Sequence, residues 1–498
     1  MNVNPITRLD YPDPDVIRVE DTYYMVSTTM HFMPGCEILQ SFDLVHWEHV
    51  TYIYETLDHT DAQQLKSGQN IYGQGMWAAS LRYHEGRFYI CFVANDTRKT
   101  YLYTSEKIDG PWKKQLIEGF YHDGSLLFDE DGRNYIVYGN DEIWITELNE
   151  DLTAPKKDGL HRLLVSDHKN PELGYEGSHI QKINGYYYIF LVHSLRDRWM
   201  RTEACFYNDS LEGEFTGGDV LCDDRGYCGQ GVAQGGIVDT PDGKWYAMLF
   251  QDSGAVGRIP ILLPVTWKDH FPVFGQNGHV PEEIEVHSTR PGYIYQPLVG
   301  SDDFCNGLLP RWQFNHDPDP RYYHLDALQG TYTITTREVC TELTQAVNTL
   351  TQRMSYPSCA AEVTVDASAL KEGDVAGLCA LQSCYAAVGI TKHHGKYEVL
   401  MLDKKEDGIL DMTEGTVVES HQMDFRLEAD FCNMKDEARC YYRVNKGDWL
   451  PIGTVHKLYF KLDHFTGCRF GLFCYAAEET GGSACFRDFK YYDVDEIS

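Results

Sequence analysis

Along the first three hundred residues one pattern of polar and apolar positions recurs. A polar turn holding Gly or Asp is followed by a run of aromatic and aliphatic residues. It reads Glu20-Asp21-Thr22-Tyr23-Tyr24-Met25 and returns as Glu85-Gly86-Arg87-Phe88-Tyr89-Ile90. Three further copies are Asp131-Gly132-Arg133-Asn134-Tyr135-Ile136, Asn184-Gly185-Tyr186-Tyr187-Tyr188-Ile189 and Asp242-Gly243-Lys244-Trp245-Tyr246-Ala247. Such a turn before β-formers predicts a tight hairpin entering a strand. The turns at 21, 86, 132, 185 and 243 stand 65, 46, 53 and 58 residues apart, a little longer than the blades of the simplest propellers. A second element follows several of them, as the last hairpin of a blade would. Ser41-Phe42-Asp43-Leu44 leads to Trp47, Asp109-Gly110-Pro111 to Trp112, and Asp209-Ser210-Leu211-Glu212-Gly213 to Phe215. Five units in series favour a five-bladed β-propeller over residues 1–300 rather than five hairpins of a sandwich.

After Trp267 the repeat stops. Prolines 272, 281, 291 and 297 fall in a segment without periodicity, which reads as an extended connector. From Ser301 the pattern becomes alternating strands, as in Ala360–Val365 and Lys396–Met401, and residues 301–498 read as a β-sandwich. Helical periodicity is scarce, with one short turn expected at Asp61–Lys66. The fold class is therefore all-β.

Composition agrees. Aromatics reach 13 %, with 34 tyrosines, which suits strands and also the stacking of rings on sugars; most of them read as core. The net charge of −32 would repel nucleic acid and anionic membranes but not a neutral substrate. Fifteen cysteines without metal-type spacing fit a reducing compartment. The start Met-Asn-Val-Asn-Pro has no signal-peptide pattern, and the apolar stretch Ile259–Val265 is short and broken by prolines. A cytoplasmic location is expected; a homo-oligomer is compatible with all of this.

Three carboxylates stand where inner strands should begin. Asp13 lies between two prolines in Tyr11-Pro12-Asp13-Pro14-Asp15, a rigid mount that also reads as a plain entry turn. Asp123 lies in Tyr121-His122-Asp123-Gly124-Ser125 and opens the third blade. Glu176 lies in Gly174-Tyr175-Glu176-Gly177-Ser178-His179 and opens the fourth. Acids at the mouth of a propeller channel are functional or paired. Glycosidic hydrolysis needs an acid and a carboxylate across the scissile bond, and a third carboxylate nearby would tune the acid. The residues alone do not say which reaction such a trio runs.

At these motifs the sequence resembles glycoside hydrolase family 43, the β-xylosidase and α-L-arabinofuranosidase group, over nearly the whole chain. The resemblance implies inversion, with Asp13 as general base, Glu176 as general acid and Asp123 as the residue tuning and positioning Glu176. It implies substrate contacts for Arg258, in Phe250–Arg258, for Trp77, in Gly75-Met76-Trp77-Ala78, and for Phe32 and His179. A structural ion pair competes for Arg258, and core packing for Trp77 and Phe32. Asp303-Phe304 through Phe314 and Asn348–Arg353 resemble the concanavalin-like sandwich of many β-xylosidases of this family, where it helps close the pocket. Two departures stand out. Ala79 replaces a proline common in relatives, which would reshape the pocket wall. The stretch Gln230–Gly235 lacks the histidine that relatives place near an ion on the propeller axis. A Ca2+ there is allowed, with no ligands assigned, and the reaction itself needs no metal.

The reading is thus an exo-acting enzyme releasing xylose from β-1,4-xylo-oligosaccharides, with α-L-arabinofuranosides as further or main substrates. A non-catalytic carbohydrate-binding propeller would tolerate loss of one acid, and all three are present. A retaining propeller enzyme fits the motif contexts less well.

Overall fold

The computed structural model describes residues 2–493. Five four-stranded antiparallel sheets follow one another in sequence as blades of a propeller, and a β-sandwich follows them. Blade 1 comprises Asp15–Val19, Thr22–Val26, Gly35–Ser41 and Glu48–Tyr54. The inner strands of blades 2 to 5 are Met76–His84, Ser125–Phe128, Glu176–Ile183 and Val232–Asp239. All five recurring turns join the first strand of a blade to its second, and the three later hairpins join the third to the fourth. The second strands run through the middle of each blade and are buried almost throughout, as in Tyr186–Ser194. Outer strands such as Lys113–Ile117 are mostly exposed. Each blade therefore presents two apolar faces, and each gap between blades holds its own core. Met76, Leu81 and Phe88 fill the gap between blades 1 and 2, and Val238, Tyr246 and Val16 that between blades 5 and 1.

The N-terminal segment closes the ring. Asn2–Val3 pairs with Glu283–Ile284, the Asn4 amide donates to Leu262 O at 2.8 Å, and Tyr11 N donates to Arg258 O. The connector begins later than the prolines suggest. Pro272 lies inside Phe271–Phe274, the outer strand of blade 5, opposite Trp267. An edge strand tolerates proline because one side of it has no ladder to join.

The sandwich packs a nine-stranded sheet against a seven-stranded one around a large apolar core. The propeller supplies one edge strand to the larger sheet: Phe32–Met33 pairs with Gln313–Asn315. Buried ion pairing crosses the same seam, with Arg353 Nη1 2.9 Å from Glu37. A cluster of His31, His316, His464 and Tyr72 rings, 3.8–6.0 Å apart between centres, fills its far end. Among the described residues no helix is long and apolar enough to cross a membrane, and all fifteen cysteines are free thiols.

Candidate active site

The three acids converge at one mouth of the propeller channel. Asp13 and Asp123 both have left-handed backbones, with φ of 52° and 48°. Such conformations cost about 1–3 kcal/mol and persist where surrounding structure imposes them. At Asp13 the imposing contacts are the Thr28 N–H and the Ser27 hydroxyl, both donating to Pro12 O. The Asp13 carboxylate accepts from Thr28 Oγ1 at 2.6 Å and from Arg258 Nη1 at 3.2 Å. Thr28 Oγ1 in turn accepts from Ala78 N, so blades 1 and 2 hold Asp13 jointly.

Asp123 and Glu176 form a separate cluster with His122, their ligand atoms all within 4.8 Å of one another. Asp13 stands outside it. Asp123 accepts from Gly177 N at 3.0 Å. Gly177 has φ of 66°, and a Cβ there would sit 2.8 Å from the Gln234 side chain, so only glycine brings this N–H to Asp123. Glu176 Oε2 accepts from Asn140 Nδ2 at 2.9 Å and lies 3.4 Å from His122 Nε2. Burial pushes the Asp123 carboxyl up to about 6, with the charges of Glu176 and Asp13 adding to it against His122. Chiefly through Asp123, and then Glu176, His122 is pushed up to about 9.

Trp77 and Phe465 form the walls, with ring centres 5.4 Å apart, and Trp77 also lies 6.1 Å from His122. Phe465 comes from the sandwich and lies under the Arg258 guanidinium at 4.2 Å. Arg258 is buried; its Nε is 3.4 Å from Asp252, which also pairs with Arg201. Phe32 lies elsewhere. It is 2 % exposed in the seam strand, with Arg469 over its ring at 3.4 Å, because pairing with Asn315 commits it to the interface. Ala79 packs in the core between blades 1 and 2 rather than on the pocket wall.

His179 belongs to a second cluster on the channel axis. Its Nδ1 is 3.2 Å from Asp15, which also accepts from Leu81 N and from Arg82 Nη1 at 2.8 Å. Arg82 further donates to Ser125 Oγ, Leu126 O, Ile180 O and Leu81 O, tying four blades together. Calcium takes six to eight oxygens. Here both Asp15 oxygens are already engaged and Arg82 brings its own positive charge, so these residues do not fit the ion. A cavity of about 410 Å³ opens at the opposite mouth. Its charges are matched in pairs, Arg18 with Asp239 and Lys182 with Asp129, so chemistry belongs with the under-compensated acids at the other end.

Sequence reasoning passed over His122, Asn140, Thr28 and Phe465. His122 stood inside the quoted Tyr-His-Asp-Gly-Ser motif, adjacent to the acid it contacts, and that adjacency was the available signal. Phe465 had none.

A five-bladed propeller that gathers an acid cluster and a separately mounted carboxylate at one mouth is the architecture of a glycoside hydrolase. Residues 3–272 match the model of glycosyl hydrolases family 43, and residues 301–492 match the β-xylosidase C-terminal concanavalin A-like domain. The chain belongs to glycosyl hydrolase family 43 and is a glycosidase. It is 26 % identical to a β-xylosidase of Formosa agariphila over 99 % of its own length and 89 % of that protein's. It is 24 % identical to a xylosidase/arabinosidase of Butyrivibrio fibrisolvens over 99 % of both. A solved bifunctional GH43-CE chain of Bacteroides eggerthii superposes with a TM-score of 0.93 at 42 % identity; it covers all of this chain, which spans 64 % of the longer protein.

Proposed function

We propose that the protein is an exo-acting, inverting β-xylosidase on short β-1,4-xylo-oligosaccharides that also accepts α-L-arabinofuranosides. The observation that carries this reading is the division of the carboxylates. Asp13 is held apart by Thr28 and Arg258, while Asp123, His122 and Glu176 form one coupled cluster. Inversion needs a base separated from the acid by room for a water molecule. Asp13 takes the proton from that water as its oxygen attacks the anomeric carbon. Glu176 gives its proton to the departing glycosidic oxygen. Asp123 orients Glu176 through the Gly177 N–H and His122. Arg258 bridges Asp13 and the sugar hydroxyls, and Trp77 and Phe465 bracket the ring. No step calls for a metal. A wall contributed by the sandwich closes one end of the pocket, which favours removal of single terminal sugars. Fifteen unpaired thiols support action in a reducing compartment, the cytoplasm.

The test is hydrolysis of aryl β-D-xyloside and aryl α-L-arabinofuranoside followed by NMR of the first-formed anomer. The expected product from the xyloside is α-xylose. β-Xylose as first product overturns inversion, and normal turnover by Asp13→Asn overturns the choice of base.

A further inference from the structure

Trp199 is 44 % exposed, while the other eight tryptophans are buried or partly buried. It sits in the turn between the second and third strands of blade 4, Tyr186–Ser194 and Arg201–Asn208, closed by Leu195 N donating to Met200 O. Strand register places this turn at the same end of the blade as Glu176, since Glu176 lies opposite Val192 and Ser194 opposite Arg201. The indole lies 5.1 Å from the Arg201 guanidinium carbon. Arg201 pairs with Asp252, Asp252 meets Arg258, and Arg258 meets Asp13. A continuous line of contacts thus joins an exposed tryptophan to the floor of the pocket. The buried guanidinium holds the ring from below and leaves it open to solvent above.

We infer that Trp199 is the leaving-group platform of the site, the surface on which the sugar departing from Glu176 stacks. The inference rests on the exo reading above. In an exo pocket the terminal sugar fills the closed end, so only the leaving group reaches the mouth. Glu176 must touch the glycosidic oxygen, which puts the departing sugar beside blade 4, where Trp199 stands. An indole face matches the C–H face of a pyranose, and neither the charge nor the pattern of hydroxyls on the partner is needed for the contact.

The test compares Trp199→Ala and Trp199→Phe with the wild type on two substrates of the same glycone. Xylobiose carries a full leaving sugar; β-D-xylosyl fluoride carries a single atom. In Trp199→Ala the loss in kcat/KM on xylobiose is expected to exceed the loss on the fluoride about tenfold, the scale of one aromatic contact. Trp199→Phe, which keeps a flat face, is expected to recover most of that difference. Equal losses on the two substrates, or none on xylobiose, overturn the platform while leaving the exo reading in place. Internal cleavage of xylotetraose by the wild type overturns the exo reading itself and with it the assignment of the mouth.

Discussion

Asp15 and Asp123 are both buried carboxylates at the head of an inner strand, yet they belong to opposite electrostatic regimes. Burial pushes Asp15 up, but Arg82, His179 and the Leu81 N–H outweigh it and hold the carboxyl below its ordinary range. Both Asp15 oxygens have a hydrogen-bond partner, and the Arg82 guanidinium stands beside them. Around Asp123 the balance tips the other way: burial and the charges of Glu176 and Asp13 outweigh His122 and the Gly177 N–H. Arg258 pairs with Asp13, which leaves Asp123 and Glu176 with one histidine between them, and Asp123 sits well above its ordinary range. Burial and acidity are common to both clusters. What separates a structural acid from a reactive one here is whether its charge is already answered by the protein or is left for substrate, water and a moving proton.

The comparison is tested most strongly by changing one charged residue in each cluster. Glu176→Gln keeps shape and hydrogen bonds but cannot supply a proton, so kcat on xylobiose should fall about 10³-fold, within the range for a lost general acid. The fall should shrink on an aryl xyloside whose leaving group needs little protonation. Folding should be little affected, because Glu176 is partly exposed and a glutamine keeps an acceptor for Asn140 Nδ2. Stopped assays with both substrates, beside a thermal melt, check this. A uniform loss on both substrates would mean that Glu176 positions rather than protonates.

At the axis the expected effect is on stability. Arg82→Met leaves Asp15 with only His179 and one N–H, and breaking a buried pair by removing one partner costs about 3–5 kcal/mol. Denaturant melts should show that loss, while kcat of the folded fraction stays within about threefold of wild type. A variant as stable as the parent would show that Arg82 fills space without answering the Asp15 charge.

These two clusters also mark how far the sequence could be read. The blades were legible because each first hairpin is built within six residues, from turn formers and β-formers in contact range of one another. Asp13, Asp123 and Glu176 were legible because each precedes such a strand. Charge compensation was not, since Arg82 answers an acid 67 residues away and reaches it across a blade gap. The same holds for Phe465, which reaches Trp77 from the second domain, and for Phe32, whose place is fixed by pairing with Asn315. Pro272 misled because proline punctuates most strands but not edges. Local chemistry names the acids; only long-range packing decides which of them is left unanswered.

The smallest expected effect is the most discriminating. The folded-state pKa of Asp123, about 6, lies above the unfolded value near 3.8. A group raised in this way contributes its stability below the unfolded pKa and loses it as pH rises through the folded one, so ionised Asp123 destabilises the protein at neutral pH. Asp123→Asn removes that penalty while keeping an acceptor for Gly177 N. It should therefore stabilise the protein at pH 7.5 by about 1–2 kcal/mol, and melts at pH 4.5 should show a smaller gain that disappears only below the unfolded pKa. Activity should fall in the same variant, because Glu176 loses the carboxylate that His122 bridges to it. Wild-type activity should likewise decline as pH drops through 6 and Asp123 takes up a proton. An Asp15→Asn variant supplies the contrast: its parent carboxyl is held low, so the substitution should destabilise at pH 7.5. If both asparagine variants moved stability in the same direction, the two clusters would not differ in the way their charges are answered.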